Sequence, residues 1–495
     1  MFTLRATARW MFFVALIFAP WFYGGTTKES IVWINWFLAA AIGLWAVSEI
    51  GRRLSRSGRT AAEDSHYTKE RTQTKSAVTD RRYSWALIFA TSSILLLGWW
   101  MVANAAFIYD SEFFLFTPVW RLLSQAPGSI DYAISVAWMV RATLLIGAMW
   151  MVVDLSQDQK WLLRLWWTIG IAGGSIALLG LLQKATGAEM IYWQHARPYD
   201  VKTFFAAYYY HANAGAYLNL VLPIACGLAL RTIIKPEKPA VRALSFSLAA
   251  LVIVAVLANT SRMAQLIGVL LMAVMILSAR KIIFRQLVHA DRSILLVGTA
   301  VMIITFYAVG QASHLDAPLR RWEMTPKQAS SEQTRWLATK AALTAVPDAG
   351  LLGFGPGTFR VIYPYYTNAI GEPIRGIWQF LHEDYVQTLL EWGLVGAALW
   401  GFIFFGAIAA GIRALLKSSG RQKMDNRRRM MPRQRWLLFL MTVALCGVSV
   451  HALVDFPLQI MSIQLYVAAY LGMCWGSTRW NSASWELEIR GYDSA

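Results

Sequence analysis

Apolar residues in this chain come in long blocks, and a helix needs about 20 such residues to cross the hydrocarbon core of a bilayer. Twelve blocks of this kind fall at approximately 10–24, 30–50, 83–105, 132–154, 161–182, 214–230, 243–259, 263–279, 293–312, 386–411, 436–454 and 459–476. A surface helix of a soluble domain has a polar flank that such blocks lack. Composition agrees, with 57% hydrophobic and 15% charged residues, where a soluble domain carries roughly 25% charged. The expected fold class is therefore an all-α polytopic membrane protein with about twelve transmembrane helices. This excludes the soluble domains that 495 residues alone would suggest.

The N-terminus imitates a secretory signal, with Arg5 and Arg9 before the apolar run from Trp10 to Ala19. Trp21, Phe22 and Tyr23 stand where a small-residue cleavage site belongs, so the run reads as a retained first span. The net charge of +18 is not the footprint of nucleic acid, because of where it sits. Nine Lys/Arg lie in 51–82 and nine more in 413–435, including Arg427, Arg428 and Arg429, with smaller basic clusters at 231–242 and 280–292. Twelve spans and a cytoplasmic N-terminus put all of these on the cytoplasmic side. That is the positive-inside pattern, helped by anionic membrane lipids. Residues 1–183 then form five N-terminal spans with the basic linker 51–82. Residues 184–479 form a second unit holding a large helical extracytoplasmic loop, 313–385, and 480–495 form a cytoplasmic tail. Cys226, Cys446 and Cys474 lie inside apolar runs and read as packing residues, with neither a disulfide framework nor metal-ligand spacing.

Polar chemistry is thereby confined to the outer segments. In the long loop, Ser330-Ser331-Glu332-Gln333 reads as a capping box opening a helix through Arg335 and Trp336. Gly350, Gly353, Gly355 and Gly357 follow, a backbone path that side chains would obstruct. It is not a phosphate-binding Walker loop, since no Lys-Ser/Thr follows and no strand precedes it; from composition alone a rigid turn is the simpler reading. The aromatics from Tyr363 to Trp378 suit either sugar stacking or an interfacial belt, and the belt is the default. Leu381-His382-Glu383-Asp384-Tyr385 ends the loop. A lone histidine at a membrane edge is more often structural, yet histidine is the natural proton acceptor at neutral pH. Two further segments reach the same face. Thr260-Ser261-Arg262 is a short turn whose arginine must face protein or an anion. His211-Ala-Asn213-Ala-Gly-Ala-Tyr217 opens a span, with Arg197 and Lys202 upstream; its small residues permit close helix contact.

Taken in order, these patterns resemble the O-antigen ligase and O-antigen polymerase family of bacterial envelope glycan transferases. The resemblance rests on Asn213 to Tyr217, Ser261-Arg262, the Arg335-to-Phe359 helix and glycine turn, His382-x-Asp384-Tyr385 with Glu391-x-Gly393, and His451-x-x-x-Asp455-Phe456-Pro457. It covers roughly residues 185–476, and the first 180 match only as spans. Two departures stand out. Lys202-Thr-Phe204 replaces the usual Arg and Gly-x-Phe, leaving Arg197 and Lys202 as alternatives for that arginine. His382-Glu383-Asp384 stands where His-Asn-Asp is commoner.

The resemblance implies a GT-C-like enzyme of the bacterial inner membrane with its active site facing the periplasm. Such an enzyme moves a glycan from an undecaprenyl-diphosphate carrier to an acceptor hydroxyl, on lipid A core or on a second carrier-linked glycan. Ligase and polymerase share donor, leaving group and fold, so both stay open. Guanidinium forks suit the diphosphate, with Arg262 and Arg335 expected there and Arg197 or Lys202 third. His382 is expected to take the acceptor proton, oriented by Asp384 or Glu383. Asn213, Tyr385 and Arg141, nine or ten residues into the fourth span, complete the expected substrate contacts. No cofactor is implied, and the outer segments lack the Asp-x-Asp pair that would hold a divalent ion. The competing reading is a transporter or lipid flippase, which predicts paired charges within spans and interrupted helices in two related halves. Arg141 is the best hint of that kind.

Overall fold

The computed structural model describes residues 2–63, 84–110, 112–113, 115–194, 204–234, 237–289, 322, 326–367, 378–417 and 432–480. In chain order the helices are α1 (Phe2–Trp21), α2 (Lys28–Glu63), α3 (Trp85–Ala103), α4 (Tyr132–Leu155), α5 (Gln159–Ala185), α6 (His211–Ile234), α7 (Pro239–Ala258), α8 (Arg262–His289), α9 (Pro326–Thr344), α10 (Val346–Ala349), α11 (Phe359–Thr367), α12 (Asp384–Lys417), α13 (Pro432–His451) and α14 (Met461–Ser477). Eight of them, α2 to α8 and α12, are long and apolar enough to cross a membrane. The expected all-α polytopic membrane fold is what the chain adopts. The expected count of twelve is not matched so simply. The outermost blocks fall in α1, in a shorter apolar stretch of α13 (Arg435–His451) and in the 17-residue α14. The block 293–312 lies outside the described residues.

Helix α6 is ringed by α5, α7, α8 and α13. Its small residues do what their size allows: a Cβ at Gly215 would stand 2.2 Å from that of Ala264, so α6 and α8 touch closely. Buried tyrosines stitch the centre. Tyr217 donates to Tyr466 at 3.0 Å, Tyr466 to the Leu16 carbonyl at 3.0 Å, and Tyr470 to the Leu220 carbonyl at 2.7 Å. Such hydroxyls need partners because apolar surroundings offer no water. Trp36, Phe89 and Leu96 point outward and are exposed, as lipid-facing residues should be.

At one end of the bundle Arg5 and Arg9 pair with Asp154 and Arg9 also with Asp158, where α4 turns into α5. The start of α1 and the α4–α5 turn therefore share a side, as alternating spans require. With that side cytoplasmic, a cysteine at position 330 is expected to react with an impermeant maleimide added to intact cells, and one at position 425 only after permeabilisation. The reverse pattern would invert the orientation and every site assignment that rests on it.

Two features depart from the sequence expectations. A small antiparallel hairpin, β1 (Phe107–Asp110) with β2 (Leu115–Pro118), follows α3, whereas the expectation was helices alone. And α9 begins at Pro326, so Ser330 lies in its second turn and is not an N-cap. Proline fixes a helical φ and lacks the N–H that a first turn leaves unpaired, which makes it the better start.

The glycine turn is the most constrained part of the segment between α8 and α12 among the described residues. Helix α12 is broken at Gly393, whose φ is 63°. The segment 350–355 runs alongside the break, with Phe354 N to Leu390 O at 2.9 Å, Gly355 N to Glu391 O at 3.0 Å and Val395 N to Leu351 O at 3.0 Å. Carbonyls freed by the break thus find new donors, an accounting that buried backbone demands. The Glu391 carboxylate completes the clamp by accepting from Gly357 N at 3.0 Å and Gln387 Nε2 at 3.0 Å.

Candidate active site

Four segments far apart in sequence meet at one end of the bundle. His382 sits just before α12, Asp455 in the turn between α13 and α14, Tyr210 just before α6, and Arg335 in α9. They form one hydrogen-bonded chain. His382 Nδ1 lies 3.1 Å from Asp455 Oδ1, Tyr210 donates to Asp455 Oδ2 at 3.1 Å, and Arg335 Nη2 donates to the Tyr210 hydroxyl at 3.0 Å. Aromatic rings fix the histidine from several sides. Phe456 meets it edge-on at 4.9 Å and Trp378 at 5.7 Å, while Tyr210 stacks on Phe456 at 5.6 Å.

Electrostatics sets the proton positions. Burial pushes the Asp455 carboxyl up, but the hydrogen bond and charge of His382, with His451 and Arg335 behind them, outweigh it and hold Asp455 below its ordinary range. Burial first, then Asp455, raises the Tyr210 phenol, which therefore stays a donor at neutral pH. A carboxylate at Asp455 fixes the His382 tautomer with the proton on Nδ1, leaving the Nε2 lone pair free. The histidine side chain is 19% exposed and the aspartate 6%, so only the imidazole is reachable from outside.

Arg262 opens α8. The preceding turn is tied to α6, since Asn259 Nδ2 donates to the His211 carbonyl at 2.9 Å and Asn259 Oδ1 receives Ser261 N at 2.7 Å. That bond brings the Ser-Arg turn to the residue following Tyr210. Asn213 is buried in the first turn of α6. Arg197 and Lys202 lie outside the described residues.

The orienting role expected of Asp384 or Glu383 is corrected: the partner of His382 is Asp455. Asp384 is buried and accepts from Leu458 N at 2.8 Å and Gln459 Nε2 at 2.9 Å. It pins the turn that carries Asp455 against the start of α12, one step removed from the chemistry. The Glu383 carboxylate caps α12 by accepting from Tyr385 N and Val386 N, and burial raises its pKa. The Tyr385 hydroxyl donates to the Ser449 carbonyl at 2.8 Å. These three residues, expected to bind substrate, are all engaged in the frame of the site. Arg141 is buried between α4 and the α13–α14 turn, donating to the Gln459 carbonyl at 2.6 Å with Trp138 4.6 Å away.

Asp455 and Tyr210 are the residues that sequence reasoning left without a role. Asp455 was visible only as part of the terminal His-x-x-x-Asp-Phe-Pro pattern, and nothing in that pattern says which distant histidine it faces. Tyr210 is the last of three consecutive tyrosines, of which only its neighbour Tyr208 is fully buried in the core.

Among curated proteins no match is found. A sequence model of the O-antigen ligase family matches residues 247–401, a stretch that holds Arg262, Arg335, the glycine turn, His382 and Glu391. Over that stretch the chain is similar to the O-antigen ligase family.

Proposed function

We propose that the protein transfers a glycan from a polyprenyl-diphosphate carrier to an acceptor hydroxyl at the periplasmic face, in one inverting step without a divalent ion. The observation that carries this reading is the chain from His382 through Asp455 and Tyr210 to Arg335. It unites an available base with a guanidinium at the mouth of the bundle, and the family supports the reaction class. His382 Nε2 accepts the acceptor's hydroxyl proton while that oxygen bonds to the anomeric carbon. The bond from that carbon to the diphosphate oxygen breaks with its electron pair, and negative charge grows on the leaving group. Arg335 and Arg262 stabilise it, each preorganised donor contributing on the order of 3 kcal/mol. Lipid A core and a second carrier-linked glycan are the two acceptors to compare.

The test is transfer by purified protein from a defined lipid-linked glycan to each acceptor separately. Transfer is expected, to persist in EDTA, and to go to one acceptor class. Arg335→Ala is expected to weaken both transfer and carrier binding, and Arg335→Lys to restore little, because an ammonium lacks the fork that spans a phosphate and the Tyr210 hydroxyl together. Carrier movement across vesicles with no glycan transfer would support the flippase reading instead, and a strict requirement for a divalent ion would overturn the metal-free step.

A further inference from the structure

A cavity of about 370 Å³ lies within the bundle between α4, α12 and α14. Its outer end holds Trp138, Arg141 and Gln459, and its inner end runs past Met149, Phe405 and Leu471. From Arg141 to Met149 is eight residues of α4, roughly 12 Å along the bilayer normal. The walls are mostly apolar, and the room corresponds to one hydrocarbon chain.

The level of Arg141 follows from its partner. Counted along α4 alone it is nine or ten residues into a span, which suggests the membrane interior. Yet Gln459, whose carbonyl it holds, belongs to the outer turn that Asp384 pins to the start of α12. Arg141 therefore lies at the level of the outer helix ends, in the headgroup layer, with the cavity descending below it. Arg141 is 5% exposed, its Nε has no hydrogen-bond partner, and no carboxylate lies within 4 Å of its guanidinium among the described ion pairs. Glu391 is near enough to act on it electrostatically but spends its oxygens on Gly357 N and Gln387. A buried cation with an unfilled donor is costly unless something completes it.

We infer that this cavity binds a phospholipid of the outer leaflet, its phosphodiester on Arg141 and one acyl chain between α4, α12 and α14. Charge decides between lipid classes. With Glu391 beside Arg141 the site tolerates one negative charge, which a phosphodiester carries, and disfavours a diphosphate with several. The site is also separated from His382 by the buried Asp384–Leu458–Gln459 turn. Bound lipid would brace Gln459, and through that turn the Asp455 end of the same segment.

Native mass spectrometry of the full chain, released from detergent with added phosphatidylglycerol, reads this directly and independently of any transfer activity. Retained phosphatidylglycerol is expected, against little retention of diacylglycerol, which has the chains without the phosphate. Arg141→Gln is expected to reduce retention roughly tenfold, the scale of one charge-assisted contact. Ala468→Phe fills the tail space while leaving Arg141 untouched and is expected to reduce it as well. Equal retention of both lipids, unchanged retention in both variants, or preferential retention of a polyprenyl diphosphate that depends on Arg141 would each overturn the proposal.

Discussion

Replacing His382 by alanine is expected to lower glycan transfer by about 10²–10⁴-fold, the usual worth of a positioned general base, while the protein stays folded and inserted. The side chain is partly exposed and rests on Phe456 and Trp378 at the rim, so some packing is lost with it. His382→Gln controls for that, since it can still hydrogen-bond to Asp455 but accepts no proton; it should be as inactive as alanine. Asp455→Asn should be nearly as damaging for another reason. Its amide can turn an N–H toward Nδ1 and pin the opposite tautomer, which removes the lone pair from Nε2. Acidification gives an independent check. Asp455 is held below its ordinary range, so the stability it contributes is present above the unfolded carboxyl pKa and is lost only as pH falls through the lower folded value. Between pH 5 and 8 the aspartate therefore stays ionised, and its hold on the imidazole is expected to persist across that range. Normal transfer by both His382 variants, measured on protein shown to be folded, would remove His382 from the chemistry.

What was legible in the sequence followed from chemistry that leaves a one-dimensional trace. Twenty apolar residues in a row have few uses besides crossing a membrane. His382 and Arg335 stood out because charged and imidazole groups are few in the outer segments. Pairing was not legible. Asp384 and Glu383 adjoin His382 in sequence, yet the start of a helix turns them elsewhere, one into a cap and the other onto Leu458 N and Gln459. The true partner arrives from 73 residues away. The surroundings of Arg141 were not legible either. Depth counted along one helix ignores how far that helix extends beyond its neighbours, and only the bond to Gln459 reveals its level. Segments that carry several of the five patterns nonetheless meet, because the patterns mark segment ends that the fold gathers together.

The glycine turn supplies the largest expected structural effect. In Gly353→Ala the new methyl group would stand 2.4 Å from Gly393 N and 2.5 Å from Glu391 O, at a φ of +81°. Left-handed backbone costs an L-residue about 1–2 kcal/mol by itself. The clash is with backbone on the other side of the pairing, so no rotamer relieves it, and the two segments must separate. Separation strands the Leu390 and Glu391 carbonyls beside the break in α12, at about 1–3 kcal/mol for each buried group left unsatisfied. Gly187→Ala is the matched control, because Gly187 has a φ of +63° with nothing within 4 Å of the added methyl. It bears the backbone cost without the clash. Thermal unfolding in detergent should show a clearly larger loss for Gly353→Ala than for Gly187→Ala. Transfer should fall in the first and survive in the second, because His382 is carried on the start of the same α12. Equal losses for the two would mean that the segment 350–355 does not hold the broken helix. The discontinuity at Gly393 would then need another source of support.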